Sequence, residues 1–442
     1  MNNSNSIARY IGLDVHKRQI TFCILSAAGQ VLARGQIPTT AAAIKAFATA
    51  HLQPTDHIAL EATTNCWAVV ELLEPHVAKV VVSNPLTTRA IAYAKIKTDK
   101  IDARVLADLL RCNYLPQVWQ PDPQTLRLRR LTHRRAALCA DRTAIKNRIH
   151  ATLAMNLIQA PLQDLFSTKG IQWLQNCTTD PELDPDTRAA LASDLRLLQA
   201  VQAEIDALDQ QLATLAYTIP QVKLLMTLPG VDYPTALALL AAWGTVQRFS
   251  TPAQAASYLG LSPSTRQSDL HCYHGPITKH GNPHARWMLV QAAQHADRHP
   301  GPLGVFFRRI AHKKNRNVAV VATARKLATI AWHMLQDNQP YWYALPRPTE
   351  TKLARLRVRA TGQKRKPGTP KGQKAMSNSP DGGRTRTIKA LPQLYHFEGL
   401  PQMHVPKPAE QRALAAMGLA EFVSALGKHQ VIKRATNSHK NR

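Results

Sequence analysis

Acidic residues are scarce in this chain, 28 Asp and Glu against 56 Lys and Arg, and four of them stand where chemistry is possible: Asp14, Glu61, Asp99 and Asp102. Asp14 interrupts the apolar run Tyr10-Ile-Gly-Leu-Asp14-Val. A carboxylate buried in such a strand without a partner costs several kcal/mol. Glu61 ends the short apolar stretch His57-Ile-Ala-Leu60. Asp99 and Asp102, in Lys97-Thr-Asp99-Lys-Ile-Asp102-Ala-Arg104, are three apart and share a helix face. Singly, Asp99 reads equally as a helix N-cap, Asp102 as a first-turn carboxylate favoured by the helix dipole, and Glu61 as a solvated strand end. Gathered at one point, they repel unless a divalent cation sits among them. Oxygen-only ligands suit Mg²⁺ or Mn²⁺, and paired ions about 4 Å apart activate an attacking oxygen and stabilise a leaving one at phosphorus. Ser268, in Tyr258-Leu-Gly-Leu-Ser-Pro-Ser-Thr-Arg-Gln-Ser268-Asp-Leu-His271, is a candidate nucleophile in a polar loop. No Ser-His-Asp elbow surrounds it, so its hydroxyl needs a base or a metal.

The elements that must position the acids read as three β-runs (from Tyr10, from Gln19 to Leu25, and from Val31 to Ile37), then a helix capped near Thr39. A strand ending at Glu61, a helix from Cys66 and a buried strand from Val77 to Val82 follow. That is the element order of a ribonuclease-H-like domain, in which the first strand is central and the strand after the first helix lies beside it. Asp14 and Glu61 are then neighbours.

The net charge of +28 calls for a polyanionic partner. No apolar run reaches the roughly 20 residues of a bilayer span, and the N-terminus lacks a secretory pattern. Nucleic acid is therefore the expected partner, without a membrane, and the cytoplasm (the bacterial nucleoid) the expected location. The six cysteines are scattered and read as reduced. His271-Cys272-Tyr273-His274, with His280 and His284, lacks the paired spacing of a zinc finger and reads as polar loop residues near a phosphate.

From Thr125 to about Leu157, a helical seam of Leu131, Leu138, Ile145 and Ile149 carries a coat of arginines that includes Arg134, Arg135 and Arg142. A stripe from Leu191 to Leu215 repeats at three and four. The two predict a long coiled-coil hairpin, or equally an ordinary intramolecular bundle. Leu225 to Leu240 reads as helix, Pro229-Gly230 turn, helix; such a turn resembles the helix-hairpin-helix that grips DNA phosphates, and an ordinary αα turn is the plain alternative. Lys97, Lys100, Arg104, Lys279, Arg286, Arg325 and Lys326 complete the expected nucleic-acid contacts.

Taken together, Ile11-Gly-Leu-Asp14-Val-His-Lys, Leu60-Glu61-Ala-Thr, Lys97-Thr-Asp99-Lys-Ile-Asp102-Ala, Leu228-Pro-Gly-Val, Tyr258-Leu-Gly-Leu-Ser-Pro with Gln267-Ser268, and Ile277-Thr-Lys-His-Gly-Asn resemble the DEDD transposases of the insertion-sequence-110 family, also called bridge-RNA-guided recombinases. The resemblance runs over roughly residues 8 to 340. It implies an α/β plus α architecture: a RuvC-like (RNase H-like) catalytic domain over 8–120, a coiled-coil helical hairpin over 121–218, and a mainly helical transposase domain with a helix-hairpin-helix over 219–345. Carried over by position, Asp14, Glu61, Asp99 and Asp102 bind Mg²⁺ (or Mn²⁺) and are catalytic. Ser268 attacks DNA to form a phosphoserine link. The implied partners are donor and target DNA, a bridge RNA that pairs with both, and further copies of the chain in a dimer or tetramer, the acids of one subunit meeting the serine of another.

One departure stands beside the serine: where the family usually has glycine, this chain has Asp269. Beyond the resemblance, 346–442 is rich in Pro, Gly and Lys and is expected to be a largely disordered basic tail in which a short helix recurs from Pro408 to Leu426, an auxiliary tether for nucleic acid or a solvated extension. The competing activities are a site-specific invertase of the pilin-gene-inverting type, a RuvC-like junction nuclease that uses water, and a catalytically dead nucleic-acid-binding protein.

Overall fold

The computed structural model describes residues 9–91, 99–269, 271–363, 384–403 and 406–434. They fall into two units, divided between Pro121 and Asp122.

The first unit is built on the β-runs expected from the sequence: β1 (Tyr10–Val15), β2 (Gln19–Leu25), β3 (Val31–Pro38), β4 (His57–Glu61) and β5 (Lys79–Ser83) form one sheet in the order β3-β2-β1-β4-β5. β1 to β3 pair antiparallel, while β4 and β5 join parallel to β1 and to each other. Parallel neighbours need crossovers, supplied by α1 (Ala41–His51) before β4 and α2 (Cys66–Leu73) before β5. α3 (Pro85–Ile91) and α4 (Asp99–Arg111) follow. This is the strand order expected of a ribonuclease-H-like domain.

Alternation along β1 sorts its side chains onto two faces. Ile11, Leu13 and Val15 pack with Ile44 and Phe47 of α1 and Val69 and Val70 of α2. Gly12 lies on the opposite face, which α4 covers so closely that a Cβ at Gly12 would stand 1.9 Å from the Ala103 carbonyl oxygen. The glycine of Ile11-Gly-Leu-Asp14 is thus the notch that lets a helix backbone rest on the central strand. Asp14, two residues on, shares that face.

The second unit opens with two long helices. α5 (Pro123–Met155) is capped by Asp122, and α7 (Pro185–Thr218) by Asp184, each followed by a proline at the helix start. α6 (Thr168–Cys177) lies between them in sequence. Arg135 pairs with Asp209, Arg142 with Gln202 and Arg148 with Asp194, so numbers rise on one helix as they fall on the other: α5 and α7 are antiparallel. Leu191, Leu198, Ile205 and Leu212 bury at every seventh position of α7.

α8 (Pro220–Leu225) and α9 (Tyr233–Trp243) flank the expected turn; α10 (Pro252–Tyr258) leads to the hairpin β6 (Pro263–Ser268) and β7 (His271–Ile277). α11 (Pro283–Ala293), α12 (Pro302–Lys313) and α13 (Arg316–Asp337) continue. By length and composition alone α13 could cross a membrane, but Arg325 and Lys326 interrupt its apolar run. Ala319, Ala324, Leu327, Ala328 and Ala331 of α13 are buried in the core with α9 and α11.

The expected disordered tail needs correction. Its described residues form α14 (Pro346–Thr361), α15 (Leu391–Glu398), α16 (Pro408–Ala416), α17 (Ala420–Leu426) and the pair β8 (Arg384–Ile388) and β9 (Gln430–Arg434). Leu353, Leu356, Leu391, Leu394, Tyr395, Leu414 and Leu426 enter the same core as α9 and α13. Prolines that counted toward the expected disorder instead stand in the first turns of α14, α15 and α16, where the missing N–H costs nothing. The most Gly- and Lys-rich part, 364–383, lies outside the described residues.

Candidate functional sites

The acidic centre. β1 and β4 pair in parallel with Leu13 opposite Leu60, so the next residues, Asp14 and Glu61, end level on adjacent strands. α4 begins at Asp99 and brings Asp99 and Asp102 in its first turn. Asp14 is only 14% exposed at its side chain, and the His16 Nε2 lies 3.1 Å from its Oδ2 and 3.5 Å from Asp99 Oδ1. Burial pushes the Asp14 carboxyl above the usual carboxylate range; His16 pulls it down, and Asp99 and Asp102 push it up again.

Ligand atoms of Asp14, His16 and Asp99 all lie within 4.8 Å of one another, a span one ion can bridge. Glu61 and Asp102 stand outside that trio, Asp102 near enough to act on Asp14 through its charge. His16 was not singled out from the sequence as a site residue. The signal was available: two residues after Asp14, in the same Asp14-Val-His16 stretch, it extends the Asp14 face just past the strand end. The residues fit a divalent cation, because a half-buried carboxylate destabilised by its neighbours is what a bound cation relieves. When bound, such an ion supplies charge stabilisation and an activated oxygen at phosphorus. Asp14, His16 and Asp99 would hold such an ion, with Glu61 at the end of β4 and Asp102 in the first turn of α4 as the further carboxylates expected from the sequence.

The serine hairpin. Ser268 does not lie in a loop; it is the last residue of β6 and pairs in register with His271, the first of β7. Between them Asp269 adopts φ +52°. That left-handed backbone explains why a glycine suits the position, and aspartate is one of the few other residues that tolerate it. From Thr265 to His274, the described residues of the ribbon are exposed. Thr265 and His274 hydrogen-bond across the strands at 3.1 Å, with Cys272 Sγ 3.8 Å from the same imidazole. His284 departs from the exposed polar cluster in which the sequence put it. It packs against His133 and Trp287, and burial pushes its pKa down to about 4.

The basic residues. Several expected nucleic-acid contacts are committed to the fold. Arg135 binds the buried Asp209, Arg142 binds Gln202, and Arg286 donates to the Leu259 and Lys279 carbonyls at 3.0 Å. Gly230 takes φ +73° in the Leu228-Pro-Gly-Val turn, where a Cβ would stand 2.3 Å from the Ala292 carbonyl oxygen. The half-buried Lys352 of α14 holds that turn, donating to Leu228 O at 2.7 Å and Val231 O at 2.9 Å. Arg104 lies 3.6 Å from Asp108. Lys100, Arg134, Lys279 and Lys326 are exposed, and Arg325 is half-buried. Arg325 and Lys326 line a groove of about 740 Å³ with Pro263, Ile277 and Val318, at the base of the serine hairpin. Lys97 lies outside the described residues.

A mixed sheet with acids converging on its central strand, followed by a helical unit in an exceptionally basic chain, defines an enzyme that works on nucleic-acid phosphates. Two family descriptions narrow the class: a DEDD transposase of IS110 type matches residues 11–156, and the transposase of the IS116/IS110/IS902 family matches 222–305. A putative transposase, y4qE, of Sinorhizobium fredii is 25% identical over 288 residues, 64% of this chain and 70% of the relative. The IS110 uncharacterised 43.6 kDa protein of Streptomyces coelicolor is 32% identical over 158 residues, 35% of this chain and 38% of its own length. The pilin gene-inverting protein of Moraxella bovis is 26% identical over 302 residues, 64% of this chain and 81% of the relative. The chain belongs to the IS110 family of DEDD transposases, and its activity is that of a DNA transposase or recombinase.

Proposed function

We propose that this transposase cuts and rejoins DNA strands through Mg²⁺ (or Mn²⁺) held at Asp14, Asp99, Glu61 and Asp102, with Ser268 as the nucleophile that becomes covalently linked to a DNA phosphate. The observation that carries the reading is the half-buried Asp14, its pKa raised by burial and by Asp99 and Asp102, at the junction of β1, β4 and α4. A fold keeps such an unfavourable cluster where its chemistry is needed. The exposure of Ser268 at the end of β6 suits attack on an incoming phosphate. Site choice by a bridge RNA, assembly as a dimer or tetramer, and use of the α5–α7 hairpin as a coiled-coil arm belong to the same proposal. So do phosphate contacts at the Gly230 turn and from Lys100, Arg134, Lys279, Arg325 and Lys326.

The test is a denaturing-gel assay with labelled element-end DNA, RNA transcribed from the flanking DNA, and Mg²⁺. A protease-sensitive adduct that disappears in both Ser268→Ala and Asp14→Ala supports the proposal. Cleavage without an adduct, indifferent to Ser268→Ala, replaces it with a junction nuclease using water. A second reading, inversion of one local segment, is favoured by the 26% identity to pilin gene-inverting proteins, matched over 81% of their length. Products from a plasmid carrying inverted sites separate the two.

A further inference from the structure

The β6–β7 ribbon places an imidazole directly across from the candidate nucleophile. Ser268 and His271 are Cα partners on either side of the turn at Asp269. Cross-strand partners project from the same face, with Cβ atoms about 4.5–5.5 Å apart. Alternation puts Arg266 and its partner Tyr273 on that face too, next in line from the turn. The other face carries Gln267 with Cys272 and Thr265 with His274, where His274 is occupied by the Thr265 hydroxyl and the Cys272 thiol. One side of an exposed ribbon thus collects a hydroxyl, an imidazole, a guanidinium and a phenol.

We infer that His271 is the general base for Ser268, and that Arg266 on the same face holds the phosphate being attacked. The inference rests on the serine reading above and deepens it. The Ser268 Oγ–H proton passes to a ring nitrogen of His271 as Oγ forms its bond to phosphorus. The phosphorus bond to the leaving deoxyribose oxygen breaks. That oxygen takes a proton from solvent, and His271 returns its own to solvent, so protons balance. Arg266 presents two N–H groups to the phosphate oxygens, a geometry that arginine matches better than lysine. The groups on the His271 face are Ser268 and Arg266 across the ribbon and Tyr273 along its own strand, and the nearest further charge in the chain is Asp269 in the turn. General-base assistance is worth about 10²–10⁴-fold in rate.

The experiment measures single-turnover adduct formation by the full chain with RNA, element-end DNA and Mg²⁺, across pH. Wild type is expected to show a limb rising with pH. His271→Gln should be about 10²–10⁴-fold slower, lack that limb, and keep its DNA affinity and melting temperature. Added imidazole should restore part of the rate in His271→Ala and none in Ser268→Ala. His274→Gln, on the opposite face, should retain both rate and limb. An unchanged rate and pH profile in His271→Gln, with the adduct still lost in Ser268→Ala, overturns the base assignment and leaves the serine intact. No adduct from wild type, or an adduct that survives Ser268→Ala, overturns the serine reading and this inference with it.

Discussion

The acidic centre and the serine ribbon are made in opposite ways. Asp14 is placed by a sheet covered on both faces: Ile11, Leu13, Ile58 and Leu60 are at most 1% exposed, and the backbone of α4 rests on Gly12. Each such buried side chain contributes roughly 1.5–3 kcal/mol. The acids therefore stand where the packing of the unit holds them, at an electrostatic cost that the unit absorbs. Ser268 is placed by a two-stranded ribbon whose described residues from Thr265 to His274 are exposed. Two strands alone are marginal in water. A centre proposed to bind a small cation is set by packing before any cation arrives, whereas the proposed nucleophile, which has to meet a long polyanion, stands on a surface that such a substrate can reach.

The comparison breaks first at Gly12. A methyl group there must displace the α4 backbone, since its nearest neighbour is a carbonyl oxygen at 1.9 Å. Gly12→Ala is expected to cost about 3 kcal/mol, at the upper end for overpacking. It should also abolish metal-dependent strand cleavage, because the helix that carries Asp99 and Asp102 moves with the clash. Denaturant unfolding and the cleavage assay check this together. A stable, active Gly12→Ala would show that the close approach of α4 is not needed. A substitution on the ribbon such as His274→Ala should leave global stability almost unchanged.

Metal comes next. At a free Mg²⁺ or Mn²⁺ concentration of 100 times the dissociation constant, binding to the folded chain alone stabilises it by about 2.7 kcal/mol. Thermal melts with and without chelator should show that gain in wild type, and its loss in both Asp14→Asn and Asp99→Asn. Ser268→Ala should keep it in full. Loss of the metal effect in Ser268→Ala would mean that the two sites are not built independently.

Without metal the sign at Asp14 reverses. Its pKa in the folded chain is raised, first by burial. The folded state therefore binds the proton more tightly than the unfolded one, and stability falls as pH rises from the ordinary carboxylate value of about 3.9 through the raised one. Asp14→Asn removes that loss. In chelator it should melt above wild type at pH 7, and the gap should narrow as pH is lowered toward 4. A gap that widens on acidification would show that the His16 contact, which favours the carboxylate, outweighs burial.

How much of this was legible follows the same division. The sheet could be read because parallel strands buried on both faces are short apolar runs, and a lone Asp14 in such a run asks for an explanation. Glu61 followed from strand order. His16 was not read as part of the centre, because an exposed imidazole just beyond a strand carries no pattern of its own. Apart from the helix read from Pro408 to Leu426, the folded C-terminal part was missed because composition was weighed above spacing. Leu353 with Leu356, and Leu391 with Leu394 and Tyr395, keep helical intervals amid the Pro and Lys around them. Lys352 shows how far that part is built in: it holds the carbonyls of a turn more than a hundred residues earlier, and burial pushes its pKa down to about 8. Arginines on α5 read as a DNA coat because sequence shows charge without partners, and Asp209 and Asp194 lie on another helix.

The finest test lies in the turn itself. Asp269 carries two properties at once, a left-handed φ of +52° and a negative charge beside Ser268. Asp269→Gly relieves the backbone and removes the charge; Asp269→Asn removes the charge while keeping a side chain that tolerates the conformation. Backbone relief is worth at most about 1 kcal/mol, offset in part by the entropy of glycine in the unfolded chain. Charge removal acts on the approach of a phosphate and is screened by salt over about 10 Å at 0.1 M. If the charge dominates, both variants should form the adduct faster than wild type, by a similar factor that shrinks as salt is raised. If the backbone dominates, only Asp269→Gly should gain, and equally at every salt concentration. The second outcome would place the constraint on Ser268 in the geometry of its ribbon, making the exposed site as dependent on one backbone conformation as the buried site is on Gly12.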